Sequence, residues 1–471
     1  MPIAENPEQA RIFVIMARRI ILKWLAGDTF GGGVLPIFVF PVVAGLFGLL
    51  LVLITPPFQS PDEPAHFFRA YQVSEGRLFP ELQDSRAGGC LPASLSAVSD
   101  SFSPLRHERA RLLPGQTRRL LAVPLHPELV VFTDFANTAM YAPTAYLPQA
   151  AGIACARLLG ASALQMLYAA RLGNLLVWVL LLSVTIRIAG RRGVFFALPA
   201  LLPAVLFMSA SANADVLTNG LCWWLVAALL SGQYRRVWVI AGLAVVSVNK
   251  LITFPLALLA RLGGASYRST AMLVAASLLG ALCWGAVAKD WFIPYDAYHP
   301  LFRDGQTLNT GVNPGAQLEY VLNNPLKFVA TAVTSLFYSL PATAAHFVGK
   351  FGWEKNYIPV GWTAALWLVL IAVLCTEERP LPLRRRWLPG VVVVAYVAGF
   401  ALTNYLLWNA VGADRMDNWQ GRYFIAVAPV AGLLPGNSLL LPWRRQIFGG
   451  GLVLVFLSNV SMLCSLIDRY Y

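Results

Sequence analysis

The sequence predicts an all-α polytopic membrane protein, and three observations carry that expectation. First, 57% of the residues are hydrophobic and 13% charged, with a mean hydropathy of +0.61, which is outside the range of soluble globular domains. Second, apolar runs of bilayer length recur along the chain, too long and unbroken for the alternating strands of a transmembrane barrel. Helices satisfy their own backbone in lipid. Third, the basic residues behind the net charge of +13 fall in short clusters between the apolar runs. That is the pattern of positively charged cytoplasmic loops rather than a nucleic-acid footprint, so nucleic acid is not an expected partner.

The elements follow in order. Residues 1–33 read as a cytoplasmic basic amphipathic segment, because Arg18, Arg19 and Lys23 interrupt the apolar stretch over 11–26. Residues 34–471 form the transmembrane domain. Val34 to Ile54 is its first span, running outward. A proline-rich first external loop, 55–138, is far longer than an ordinary connection, and its aromatic content favours an ordered, functional loop. Met140 to Gly160, studded with Pro143, Pro148, Gln149 and Arg157, reads as an interfacial or re-entrant helix. Gln165 to Ile188 runs inward to Arg187, Arg191 and Arg192; Val194 to Ala210 runs outward; Val216 to Leu230 runs inward to Arg235 and Arg236. Val237 to Val248 and Leu251 to Ala260 read as short helices meeting at Asn249 and Lys250 on the outer side, an arrangement that often builds a site.

Ala271 to Ala288 leads to a second external segment, 289–359, in which Phe328 to Leu340 reads as a short interfacial helix ended by Pro341. Gly361 to Cys375 then runs in, Val391 to Leu407 out, Tyr423 to Leu440 in and Leu452 to Leu466 out, which makes about eleven spans. Five of the six cysteines lie in apolar segments, so no disulfide framework is expected.

Four polar constellations fall on the expected external face. Asp62, Glu63, His66 and Arg69 follow directly on the first span and read either as a polar cap at a helix end or as a catalytic carboxylate held at the membrane surface. Asp215 is the only carboxylate between Asp134 and Asp290; acids at a membrane edge are costly and mark function, although a helix N-cap needs the same residue type. Lys250 sits between two short helices, where it can touch phosphate or snorkel to the interface. Arg422, in Gln420-Gly421-Arg422-Tyr423, combines a guanidinium with an aromatic neighbour at a helix start, which suits bidentate phosphate recognition. Asp62, Glu63 or Asp215 could also offer oxygen ligands to Mg or Mn. A zincin is not expected, since Asp62-Glu63-Pro64-Ala65-His66 lacks the first histidine of H-E-x-x-H. No Walker A glycine motif is present, which argues against nucleotide-driven transport.

Pro61-Asp62-Glu63-Pro64-Ala65-His66, Tyr141-Ala142-Pro143-Thr144-Ala145-Tyr146-Leu147-Pro148-Gln149, the Ser-Ala-Asn-Ala-Asp segment ending at Asp215 and Gln420-Gly421-Arg422-Tyr423 resemble, in this order, a bacterial family of predicted polytopic membrane proteins catalogued as a domain of unknown function. The resemblance runs from about Val34 to Leu440. That family is similar to the GT-C superfamily of glycosyltransferases, which use polyprenyl-phosphate or polyprenyl-diphosphate sugars on the outer face of the membrane. The resemblance implies a GT-C-like bundle whose first extracytoplasmic loop carries interfacial helices, in a bacterial inner membrane.

It also implies a lipid-linked sugar donor and a glycan or lipid-linked acceptor as partners, besides membrane lipids. By likeness, Asp62 or Glu63 matches the acidic motif that includes the catalytic base, and Asp215 is a looser match to a second acidic position. Tyr141 to Thr144 matches the start of the amphipathic external helix, departing from it in lacking the His or Lys and the first Pro. Asp62 is the expected base and Glu63 its orienting or metal-binding neighbour. His66, Arg69, Asp215, Lys250, Gln420, Arg422 and Tyr423 are the expected substrate or phosphate contacts. Two alternatives stand beside this reading: a transporter or flippase of lipid-linked sugars, and a non-catalytic polysaccharide assembly factor. A transporter is expected to place charges at the bilayer midplane and to show repeated halves, whereas the acids here concentrate at one face.

Overall fold

In the computed structural model, residues 34–471 are described apart from 107–109, 233–234, 295–296, 299–309 and 354–355. The expected amphipathic segment over 1–33 lies outside the described residues. Helix α1 (Val34–Ile54) is apolar throughout and tolerates Pro41; its 21 residues reach about 31 Å at 1.5 Å per residue, enough to cross a bilayer. Among the described residues six helical stretches are long and apolar enough to do so, and four shorter apolar helices accompany them.

The described residues of the first loop form regular elements. The loop holds helix α2 (Glu63–Ser74) and a three-stranded antiparallel sheet of β1 (Glu81–Gln83), β2 (Arg86–Pro92) and β3 (Val130–Asp134), with Gly88 opposite Asp134 and Cys90 opposite Phe132. This sheet was not anticipated, because its strands are short and glycine-rich. Next come a 3-10 turn at Pro143–Tyr146 and α3 (Leu147–Leu158), which is too short to span a bilayer.

Helix α4 (Ala163–Ala189) starts in a capping box in which Ser162 and Gln165 satisfy each other's backbone N–H groups. It packs against α1 and α3. Gly152 on α3 meets the Ala169 carbonyl and Gly173 on α4 meets the Pro148 carbonyl, so closely that a Cβ at either glycine would collide with backbone. Small residues thus bring the two helices into contact.

The expected Val194–Ala210 span is broken: α5 (Gly193–Ala200) and α6 (Pro203–Ser209) are separated at Leu201–Leu202, because Pro203 cannot continue the preceding helix and suits the first turn of the next. After α7 (Asp215–Ser231), α8 (Arg236–Asn249) ends at Lys250, which is extended (φ −150°, ψ 100°), and a 3-10 helix (Leu251–Arg261) follows. The two short helices expected here do meet at Asn249–Lys250. Helix α9 (Tyr267–Ala288) precedes α10 (Pro325–Gly349), which corrects another expectation: Pro341 does not end it. Thr343 beyond the proline donates to the Trp419 carbonyl at 3.1 Å, and such tertiary contacts offset the lost helical bond.

Helices α11 (Val360–Leu374), α12 (Trp387–Trp408) and α13 (Arg444–Tyr470) complete the bundle. Tyr423–Leu440, expected as a helical span, is instead a 3-10 helix (Gly421–Val427), one turn of α-helix (Ala428–Gly432) and a series of turns. Pro429, Gly432, Pro435 and Gly436 interrupt it. The segment still travels to the far end of α11, where Asn437 bonds Leu374 and Glu377 through the backbone. Irregular backbone survives at that depth because Ile425, Ala426, Val427 and Val430 are buried in protein.

Candidate functional site

The two adjacent carboxylates occupy opposite environments. Asp62 is the N-cap of α2 in the left-handed region (φ 62°, ψ 4°), and its side chain caps nothing. A non-glycine residue there is strained and marks a backbone held by its surroundings. Its Oδ1 accepts from Asn137 Nδ2 at 3.2 Å and its Oδ2 from Arg422 Nη2 at 3.0 Å. One third of the Asp62 side chain (33%) remains exposed, so a substrate can reach it.

Glu63 is fully buried. Its oxygens accept from Arg171 Nε at 2.8 Å, Arg171 Nη2 at 2.6 Å and the Ala212 amide at 3.0 Å. Arg171 also donates to the carbonyls of Val52, Thr55 and Pro56, which ties the end of α1 to the start of α2. Burial raises the pKa of the Asp62 carboxyl, but the Arg422 guanidinium and His66 together lower it by more, leaving Asp62 below the usual carboxylate range.

Asp215 is the first residue of α7 and does not cap it; the N-cap is Ala214, without a side-chain bond. Its Oδ1 accepts from Lys250 Nζ at 2.6 Å, and both side chains are mostly buried. The break between α8 and the 3-10 helix presents Lys250 here, and Asn249 next to it is held by Thr218 and Thr144.

Tyr423 lies between the two cations. Its ring is 5.1 Å from the Arg422 guanidinium and 5.8 Å from Lys250 Nζ, and its hydroxyl accepts from Arg422 at 3.3 Å. Gly421 makes this possible, because a Cβ there would collide with the Phe347 amide and the Thr343 carbonyl of α10. Gln420 donates to Asn418 and, with Arg422, lines a small cavity that also touches Phe207, Met208 and Lys350.

His66 bonds the Tyr146 hydroxyl through Nδ1 at 2.9 Å, and burial pushes its pKa down to about 4, so the imidazole is neutral at ordinary pH. Arg69 does not join this group. It is buried and turned onto Gln72 and the Leu78 carbonyl, where it fixes the turn after α2.

The structure therefore gathers Asp62, His66, Asp215, Lys250, Gln420, Arg422 and Tyr423 at one place, with Glu63 and Arg69 directed elsewhere. Sequence reasoning passed over Asn137 and Arg171, and it met Tyr146 only within the motif from Tyr141 to Gln149, without giving it a role. Only Arg171 left a readable signal, as a lone charge inside an apolar span, where a partner is the rule. Asp62, Glu63 and Asp215 do not form one ligand set for Mg or Mn, since Glu63 is taken by Arg171. Among the described residues no three His, Cys, Asp or Glu side chains are arranged to hold a metal.

Fold and site together define a polytopic helical membrane protein with two carboxylate–cation pairs facing one tyrosine. The chain belongs to the family described as "Predicted membrane protein (DUF2142)", which matches residues 46–431. No curated protein matches it. Among solved structures it is similar to ArnT from Cupriavidus metallidurans bound to undecaprenyl phosphate, at 16% identity and a TM-score of 0.34. That match covers 76% of this chain and 61% of the other, a likeness too slight to carry a functional argument.

Proposed function

We propose that this chain is a glycosyltransferase of GT-C type that moves a sugar from a polyprenyl-phosphate or polyprenyl-diphosphate donor to a glycan or lipid-linked acceptor. Its work takes place on the extracytoplasmic face of a bacterial inner membrane. The observation that carries this reading is the pairing of Asp62 with Arg422 and of Asp215 with Lys250 around Tyr423. A lipid-phosphate sugar brings its own leaving group, so the protein need supply only a base and fixed cations.

Asp62, one-third exposed and ionised at neutral pH, is the base. The acceptor hydroxyl oxygen attacks C1 of the sugar, the C1–O bond to phosphate breaks, and the hydroxyl proton passes to Asp62. Attack opposite the leaving group inverts the anomeric centre, by the stereochemical logic of inverting glycosidases. Arg422 and Lys250 stabilise the charge that develops on the departing phosphate. A donor phosphate that shares Arg422 also loosens its hold on Asp62 and returns basicity to the carboxylate. Asp215 orients Lys250, and neutral His66 offers a hydrogen-bonding group beside the base. Glu63 contributes through the backbone, by holding the start of α2 in place.

The test is to incubate purified protein with a panel of polyprenyl-linked sugars and follow released lipid phosphate. Wild type is expected to turn over at least one donor, and Asp62→Asn none at normal expression. Near-normal transfer by that variant overturns the role of Asp62.

A further inference from the structure

We propose a second binding site, for the phosphate of an anionic lipid headgroup, at the end of the bundle opposite Asp62. Ala189 lies 18 positions beyond Arg171 along α4, and that stretch is unbroken, so the two ends are about 27 Å apart, close to the thickness of a bilayer's hydrocarbon layer. There, a cavity of about 320 Å³ is lined by Arg191 and Arg192 after α4, Glu377, Glu378 and Arg379 after α11, and Arg444 at the start of α13. Glu378 bridges Arg191 and Arg444 at 2.5 Å each, and Glu377 pairs with Arg192 at 2.5 Å. Four guanidinium groups thus face two carboxylates, leaving positive charge to be met by a ligand.

Arg444 gives the second, independent indication. It is nine-tenths buried (9% exposed), yet its Nε has no hydrogen-bond partner. A buried guanidinium N–H without an acceptor is costly, and because Arg444 lines the cavity, a shift of its side chain on binding would let a phosphate oxygen supply one. Arg191, by contrast, is 72% exposed and can swing from Glu378, which keeps Arg444 as its partner, to close over a bound group. Planar guanidinium forks match phosphate geometry, and basic pockets between spans suit anionic headgroups. Isolated interfacial arginines reach singly towards headgroups; here they converge from three chain segments on one concavity. This site is independent of the transferase reading.

The test uses the full-length protein in nanodiscs of a neutral lipid. Bound lipid is counted by native mass spectrometry, and thermal stability is followed as phosphatidylglycerol is added, with inorganic phosphate as a parallel arm. Phosphatidylglycerol is expected to bind and raise the melting temperature at concentrations where inorganic phosphate does neither. Arg191→Gln with Arg379→Gln is expected to weaken that binding about tenfold, the loss of a charge-assisted hydrogen bond, with unchanged stability in neutral lipid.

A control pair, Arg235→Gln with Arg236→Gln, removes the same charge from exposed positions at the far end of α7 and leaves binding intact. Arg444→Gln should also abolish the response, and the double variant answers the question even if Arg444→Gln fails to fold. Equal loss in the control pair, no response to phosphatidylglycerol, or binding of inorganic phosphate with no preference for the lipid overturns the proposal.

Discussion

Replacing Glu63 by glutamine and Asp62 by asparagine, one at a time, separates the two neighbouring carboxylates. Glu63→Gln removes the charge that faces Arg171 where both side chains have no exposure. Breaking a buried pair by removing one partner costs about 3–5 kcal/mol. The amide oxygen can keep one bond from Arg171, so about 3 kcal/mol is the fitting figure, a large part of the ~5–15 kcal/mol that holds an ordinary fold together. Asp62→Asn removes one partner of a pair that is one-third solvated on the Asp62 side, worth about 0–1 kcal/mol.

Asparagine also tolerates the left-handed backbone that Asp62 adopts (φ 62°). Its loss as a general base should lower transfer by about 10²–10⁴-fold. The assay is the half-life of monodisperse protein in detergent on heating, run beside the lipid-phosphate release assay. The expected split is a shortened half-life for Glu63→Gln and a dead but stable Asp62→Asn. An inactive Glu63→Gln with wild-type half-life, or an Asp62→Asn as fragile as Glu63→Gln, refutes the division of roles.

The other predictions concern the cations and the backbone around them. Because Arg422 lowers the Asp62 pKa in the free protein, kcat/KM should persist as pH falls to below the ordinary aspartate range near 3.9 and disappear only there. Arg422→Gln should move that acid limb to higher pH as well as lower the plateau, and a pH–rate profile with an unmoved limb would contradict the pairing. By the same linkage, the stability contributed by the Asp62–Arg422 pair is present above the unfolded-state value and lost as pH falls through the folded one. Lys250→Met leaves Asp215 without its cation and should cut transfer about tenfold or more; unchanged kcat would remove Lys250 from the site. Gly421→Ala forces a Cβ onto the backbone of Thr343 and Phe347 and should destabilise by about 1–3 kcal/mol, read as a shortened thermal half-life.

The composition and the apolar runs were enough to determine that this is a polytopic helical membrane protein, because a long run of apolar side chains has few other stable fates. Each polar motif also showed itself without the fold, as charge in places where charge is expensive. Tyr423–Leu440 escaped the same reading, since hydropathy averages over its prolines and glycines and reports depth without regular structure. Pro341 misled in the other direction: the cost of an internal proline is local, and the contacts that offset it come from residues near Trp419.

What only the tertiary structure decided is the assignment of partners. Asp62 and Glu63 are neighbours in sequence and chemically alike, yet one faces Arg422 from 360 positions away and the other Arg171 from 108. A helix start at Glu63 and a left-handed residue before it turn the two carboxylates apart. Burial then gives the first an open, ionised role and the second a closed, structural one, because the energy of a charge is set by what surrounds it in space rather than by its neighbours along the chain.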